Sequence, residues 1–244
     1  PALPDLRRDY MALTGRPPVP PKKMFGLWVS QYGYRDWTEV ADNLSSLRQA
    51  GFPVDGFVLD LFWFGGIEDS SPHSHMGSLT WDLTHFPDPS GNIARLADQG
   101  VGILVVEESY VSSGLDEYGV LEQRGALVRQ TQGGPPVSMS NWWGQGGMLD
   151  WTNDAATDFW FDYRRLPLVL DGVLGHWTDL GEPEDFDPKA WYHGLAGLGG
   201  NTHADVCNYY NFKWLESISR GYERHDIDRR PFMLSRSGTA GIQR

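Results

Sequence analysis

The sequence predicts an α/β fold, and three observations carry that expectation. Short apolar runs alternate with longer stretches of helical period along most of the chain. The run VGILVVEE (101–108) is apolar almost throughout, as in a strand of a parallel sheet covered on both faces. Acidic residues recur where such runs end, which is where enzymes built on parallel sheets keep their chemistry.

MFGLWVS (24–30) turns polar at its end and reads as a first strand. Asp36 is placed as an N-cap with Glu39 three residues on. Trp37, Val40, Ala41, Leu44 and Leu47 share one face of the helix that follows, and Gly51 closes it. VDGFVLDLFW (54–63) is a second strand, followed by a Gly/Ser/His loop. A short helix is expected from Ile93 to Gln99, ended by Gly100. Residues 101–108 form the third strand, and a long irregular stretch comes next. AATDFWFDYRR (155–165) has helical period, and GVLGHWTD (172–179) is a fourth strand. ADVCNYYNFKWLESISRGYE (204–223) is a long amphipathic helix, and RPFMLSRS (230–237) a fifth strand. Five units do not close a barrel of eight. They could form an open doubly wound sheet, but GQGG and GLGG lack the strand-turn-helix setting of a dinucleotide loop. No repeat and no internal domain boundary is visible, so residues 1–244 are taken as one domain.

Composition narrows the function. A formal charge of −12 repels a phosphate backbone, so nucleic acid is not an expected partner. No apolar run is long enough for a membrane span. The chain opens on Pro1 without the basic-then-apolar pattern of a signal peptide, which favours a cytoplasmic location. Cys207 is alone, which excludes an internal disulfide and a cysteine-based zinc site. His73 and His75 form an H-x-H pair in a Pro/Ser/Gly loop with no matched third ligand, so no metal is expected. The 11 Trp, 10 Tyr and 11 Phe are mostly core, but those in Gly-rich loops beside carboxylates, NWWGQGG (141–147) and LFWFGG (61–66), suit the face of a sugar ring.

HWTDLGEPED (176–185) focuses the chemistry. Gly181 and Pro183 forbid a helix, and Glu182 is pushed extended by the Pro after it, so Asp179 stands where a strand gives way to a loop. Asp60 ends the second strand, Glu107 and Glu108 the third, and Arg236 the fifth. One Asp at a strand end is ordinarily a cap or a structural hydrogen-bonder. Carboxylates at several strand ends, with an Arg and several Trp, are instead the composition of a site that cleaves glycosidic bonds, which needs two carboxyl groups.

These residues resemble glycoside hydrolase family 31. GHWTDLGEPED is similar to its nucleophile motif, W-x-D-x-x-E-P. VPPKKMFGLWVSQYGY resembles the entry to its barrel, FPVDGFVLDLFWFG its second strand and RPFMLSRSGTAGIQR its fifth. MGSLTWDLTHFPDP further resembles the branch holding α-glucosidases and oligosaccharide 4-α-glucosyltransferases. The resemblance implies part of a (β/α)8 barrel, strands one to five, in a retaining enzyme that acts on α-linked glucosides without a cofactor. Asp179 matches the nucleophile, and Asp60 the aspartate gripping the sugar hydroxyls. Trp177, Arg236 and the loop Trp143 match side chains lining the same subsite, and Glu182 is mainly structural. Arg236 is expected to keep Asp179 ionised by lowering its pKa. Ser109 departs from the Pro of relatives. The acid/base aspartate would follow the segment ending at Arg244, so residues 1–244 alone are expected to be inactive. Transglucosylation is the alternative outcome, and a non-catalytic piece the alternative class.

Overall fold

The computed structural model describes residues 2–67, 74–184, 186–195, 197 and 199–243. Its centre is a parallel sheet of β1 (Leu27–Ser30), β2 (Val54–Leu59), β3 (Gly102–Glu107), β7 (Gly175–Thr178) and β8 (Phe232–Ser235), hydrogen-bonded in that order. Every pairing is parallel, and helices return the chain between strands. The α/β expectation holds, and the architecture is a partial (β/α)8 barrel.

The helices begin where polar side chains can cap them. Asp36 accepts the Glu39 amide at 2.8 Å to start α2 (Trp37–Gln49). Asp88 caps α3 (Pro89–Asp98), four residues earlier than the apolar period suggested, because Pro89 suits a first helical turn. Thr202 and Asp205 form a capping box on α7 (His203–Arg224). The helix expected over 155–165 runs on: α5 (Asp154–Trp160) passes through a π-turn (Phe161–Arg165) into α6 (Leu166–Leu170). Pro167 has no amide to continue the α ladder, and the π-turn takes up the irregularity.

All five strands are shorter than the runs read for them in the sequence. Lys22–Phe25 and Leu61–Phe64 are single 3-10 turns at either end of strands, and β7 starts only at Gly175. Three features were not foreseen. α1 (Leu3–Thr14) precedes the barrel and buries no residue; Leu3, Leu6, Tyr10 and Leu13 share one face of it, and that face is exposed. α4 (Asp116–Gln123) and an antiparallel sheet of β4 (Tyr110–Ser112), β5 (Met139–Asn141) and β6 (Gly144–Met148) fill the stretch read as irregular. β6 reads GQGGM, a composition with no strand preference. Gly146 fits because a Cβ there would lie 1.9 Å from the Val111 carbonyl oxygen.

Most of the core lies between the sheet and its helices, where Phe57, Leu59, Ile103 and Val105 are buried. A smaller cluster of Val58, Leu104 and Phe232 faces the barrel interior with Trp28 and Trp177 against it. Trp28 lies across the sheet so closely that a Cβ on Gly56 would sit 2.1 Å from its ring. This packing defines which face of each strand is interior, and therefore which side chains at the strand ends can meet.

Candidate active site

Alternation along a strand carries interior residues to the rim. On β2 the interior series is Gly56, Val58, Asp60; on β3 it is Leu104, Val106, Glu108; on β7 it is Gly175, Trp177, Asp179; on β8 it is Phe232, Leu234, Arg236. Val106 pairs with Trp177 and Trp177 with Leu234, so Glu108, Asp179 and Arg236 follow side by side one step further up.

Asp179 is the centre of this rim. Its amide donates to the Glu107 carbonyl at 3.2 Å, continuing the ladder, while its side chain is 16 % exposed. Arg236 Nε lies 3.4 Å from Asp179 Oδ1 and donates to Glu182 Oε1 at 2.9 Å. Its Nη2 approaches Glu184 Oε1 at 3.6 Å. Leu180, directly after Asp179, is buried at φ 54, a left-handed conformation that costs a non-glycine residue on the order of 1 kcal/mol. The turn is held from behind: Asn211 on α7 donates to Ser235 Oγ at 2.6 Å and to the Ser237 carbonyl, and accepts from Thr178 Oγ1 at 3.3 Å. A Cβ on Gly181 would meet Asn211 Oδ1 at 2.4 Å.

Burial raises the Asp179 pKa above the ordinary carboxylate value, and Arg236 opposes this without overcoming it. The expectation that Arg236 sets a lowered pKa is therefore corrected: desolvation is the larger effect. Asp60 is raised as well, by burial and by the charge of Asp179, against the Leu61 amide, which donates to Asp60 Oδ1 at 2.7 Å. Asp60 thus also caps the 3-10 turn after β2.

Two expected neighbours belong elsewhere. Glu107 points away from the interior into the helix layer, with Arg165 Nε donating to its Oε2 at 2.9 Å. Arg165 Nη2 and His176 Nδ1 approach its two oxygens at 2.8 and 3.1 Å, close contacts without hydrogen-bond alignment. Trp143 is 1 % exposed and stacked on Tyr110 with centroids 5.2 Å apart, so it does not present its ring to the cleft. The exposed member of that pair is Trp142, at 54 %, whose Nε1 donates to Glu184 Oε2 at 3.2 Å. Glu184 in turn has its amide on the Tyr110 hydroxyl at 3.1 Å, which sets Trp142 above the loop after Asp179. Trp177 is half-buried on the interior face. The loop histidine His73 lies outside the described residues.

A parallel sheet of this order, with carboxylates along the rim at its strand ends, belongs to barrels that work through their βα loops. Residues 17–244 match the Glycosyl hydrolases family 31 TIM-barrel domain, and the chain belongs to that family. It is 27 % identical to Alpha-glucosidase 2 of Bacillus thermoamyloliquefaciens over 98 % of this chain and 30 % of that protein. It is 29 % identical to the α-xylosidase XylQ of Lactiplantibacillus pentosus over 86 % of this chain and 26 % of that one. A dextranase of the same family from Flavobacterium johnsoniae, solved with isomaltotriose, superposes with a TM-score of 0.83 at 26 % identity, over 97 % of this chain and 28 % of its own. The chain spans less than a third of each of these relatives. α1 lies outside the matched residues.

Proposed function

We propose that this chain carries the nucleophile half of a retaining glycosidase active site that takes α-linked glucosides. The observation that carries the reading is the rim itself: Asp179 on the barrel interior, mostly withdrawn from water, within 3.4 Å of Arg236 and under the charge of Asp60. Asp179 attacks the anomeric carbon and the glycosidic C–O bond breaks, giving a glycosyl ester. The leaving oxygen takes its proton from an acid/base carboxyl, which the family resemblance places after the segment ending at Arg244. Asp60 accepts from sugar hydroxyls, an interaction that strengthens as the ring flattens. Trp177 walls the subsite, and Trp142, rather than Trp143, supplies the exposed apolar face. Glu182 holds Arg236 in place.

A 5-fluoro-α-glucosyl fluoride tests this, because fluoride leaves without a proton donor. The expected result is one covalent adduct, mapped by peptide mass spectrometry to Asp179. An adduct on another carboxylate would remove Asp179 from the role. Parallel assays with nitrophenyl α-glucoside and α-xyloside test the substrate class, since the relatives include an α-xylosidase. Cleavage of the xyloside alone would refute the glucoside assignment. Product analysis with maltose separates hydrolysis from transfer to a second sugar.

A further inference from the structure

Glu108 stands in the rim with no task in the reaction above. It is 2 % exposed, and its buried Oε2 has no hydrogen-bond partner among the described residues. Asp179, one step beyond the last register pair of Glu107 and Thr178, also has a buried oxygen, Oδ1, which lies 3.4 Å from Arg236 Nε but accepts no aligned hydrogen bond among the described residues. Among the described residues, the charged groups that act most strongly on Glu108 are Asp179, Asp60 and Glu184, all acidic, and the cation Arg236, with the Tyr110 phenol nearby. Arg236 is already shared among Asp179, Glu182 and Glu184.

One guanidinium cannot balance this many carboxylates at a desolvated rim, so the most buried of them is the one that keeps a proton. Burial pushes Glu108 well above the carboxylate range, and the charges of Asp179 and Asp60 push it the same way. A carboxylic acid has a hydroxyl to donate where a carboxylate has none. Two facing carboxylates, acceptors only, could not bond to one another.

We propose that Glu108 is a neutral carboxylic acid whose hydroxyl donates to Asp179 Oδ1, making it a positioning residue for the nucleophile. The proposal rests on Asp179 being that nucleophile. The hydrogen bond keeps Asp179 ionised and stops its carboxylate from rotating. When the other Asp179 oxygen bonds to the anomeric carbon, Oδ1 becomes the ester carbonyl and still accepts. Glu108 keeps its proton throughout, and the leaving oxygen is protonated elsewhere.

Glu108→Met and Glu108→Gln in the intact enzyme test the proposal on nitrophenyl α-glucoside. Met removes the donor and is expected to lower kcat by at least about 10-fold. Gln keeps a neutral donor of the same shape and should rescue most of that loss, with the acid limb of kcat/KM in place. An acid limb that falls by about one pH unit in Glu108→Gln would show that a negative charge had been removed, which overturns the proposal. A Met variant as active as wild type overturns it too. Infrared difference spectra read the proton without turnover: wild type at neutral pH should show a protonated-carboxyl stretch that Glu108→Gln lacks. If the fluoride adduct maps to Asp179 and that band is missing, the neutral Glu108 fails alone. If the adduct maps elsewhere, the nucleophile assignment fails and the positioning role falls with it.

Discussion

Glu107→Gln is the substitution whose outcome the structure specifies most fully. Glu107 and Arg165 are 1 % and 0 % exposed, and Arg165 is bound only inside the protein: to Glu107, to Ser217 Oγ at 2.9 Å, and over the Trp151 ring at 4.9 Å. Burial by itself would raise the Glu107 pKa, but Arg165 and His176 outweigh it and bring it from the ordinary 4.5 to about 2. A depressed folded-state pKa means stability that is fully present above the unfolded value and is lost as pH falls toward the folded one. At about 1.4 kcal/mol per pH unit, the gap amounts to about 3 kcal/mol, lost between about pH 4.5 and 2. Gln imitates the protonated state at every pH and strands a buried guanidinium, a change that costs about 3–5 kcal/mol in buried pairs. With an m-value of about 2–3 kcal/mol/M, the urea midpoint at pH 7 should fall by roughly 1 M or more. The difference from wild type should shrink as both are acidified below about pH 4.5, because wild-type Glu107 then takes up its own proton. A midpoint shift under roughly 0.3 M at pH 7, or a difference that is constant with pH, would refute the claim that this pair is coupled and buried.

Four further outcomes are expected. Asp179→Asn should lower kcat by at least about 10³-fold, about 4 kcal/mol, with an unchanged fold by circular dichroism, because an amide cannot form the glycosyl ester. Arg236→Met should raise the acid limb of the pH–rate profile: Arg236 holds the Asp179 pKa down against burial, and the nucleophile must be ionised. A limb that moved down would reverse that assignment. Asn211→Ala should destabilise by about 1–3 kcal/mol in urea, since it leaves groups of both β7 and β8 without their bond, and should lower kcat more than it raises KM. Residues 1–244 expressed alone should not turn over nitrophenyl α-glucoside; measurable turnover would place the proton donor within this chain.

Local signals in the sequence specified the alternation of strands and helices, the cap at Asp36, and the turn that puts Asp179 at a strand end. These are local: a Pro, a Gly or a capping side chain acts within a few residues of itself. The sequence could not say which of Glu107 and Glu108 faces the interior. A strand apolar on both faces offers no contrast between them, and the parity became legible only once Val58, Leu104 and Phe232 showed which side is inside. Nor could it choose between Trp142 and Trp143, adjacent rings in a Gly-rich loop of which Tyr110 covers one. β5 and β6 escaped because Gly, Ser and Asn have no strand preference, and β4, Tyr-Val-Ser, because three residues are too few to show a period; long-range pairing makes all three strands. Asn211 and Arg165 sit in helices with nothing around them in sequence to mark them. Their partners lie 24 or more residues away, and only tertiary packing puts them behind the site.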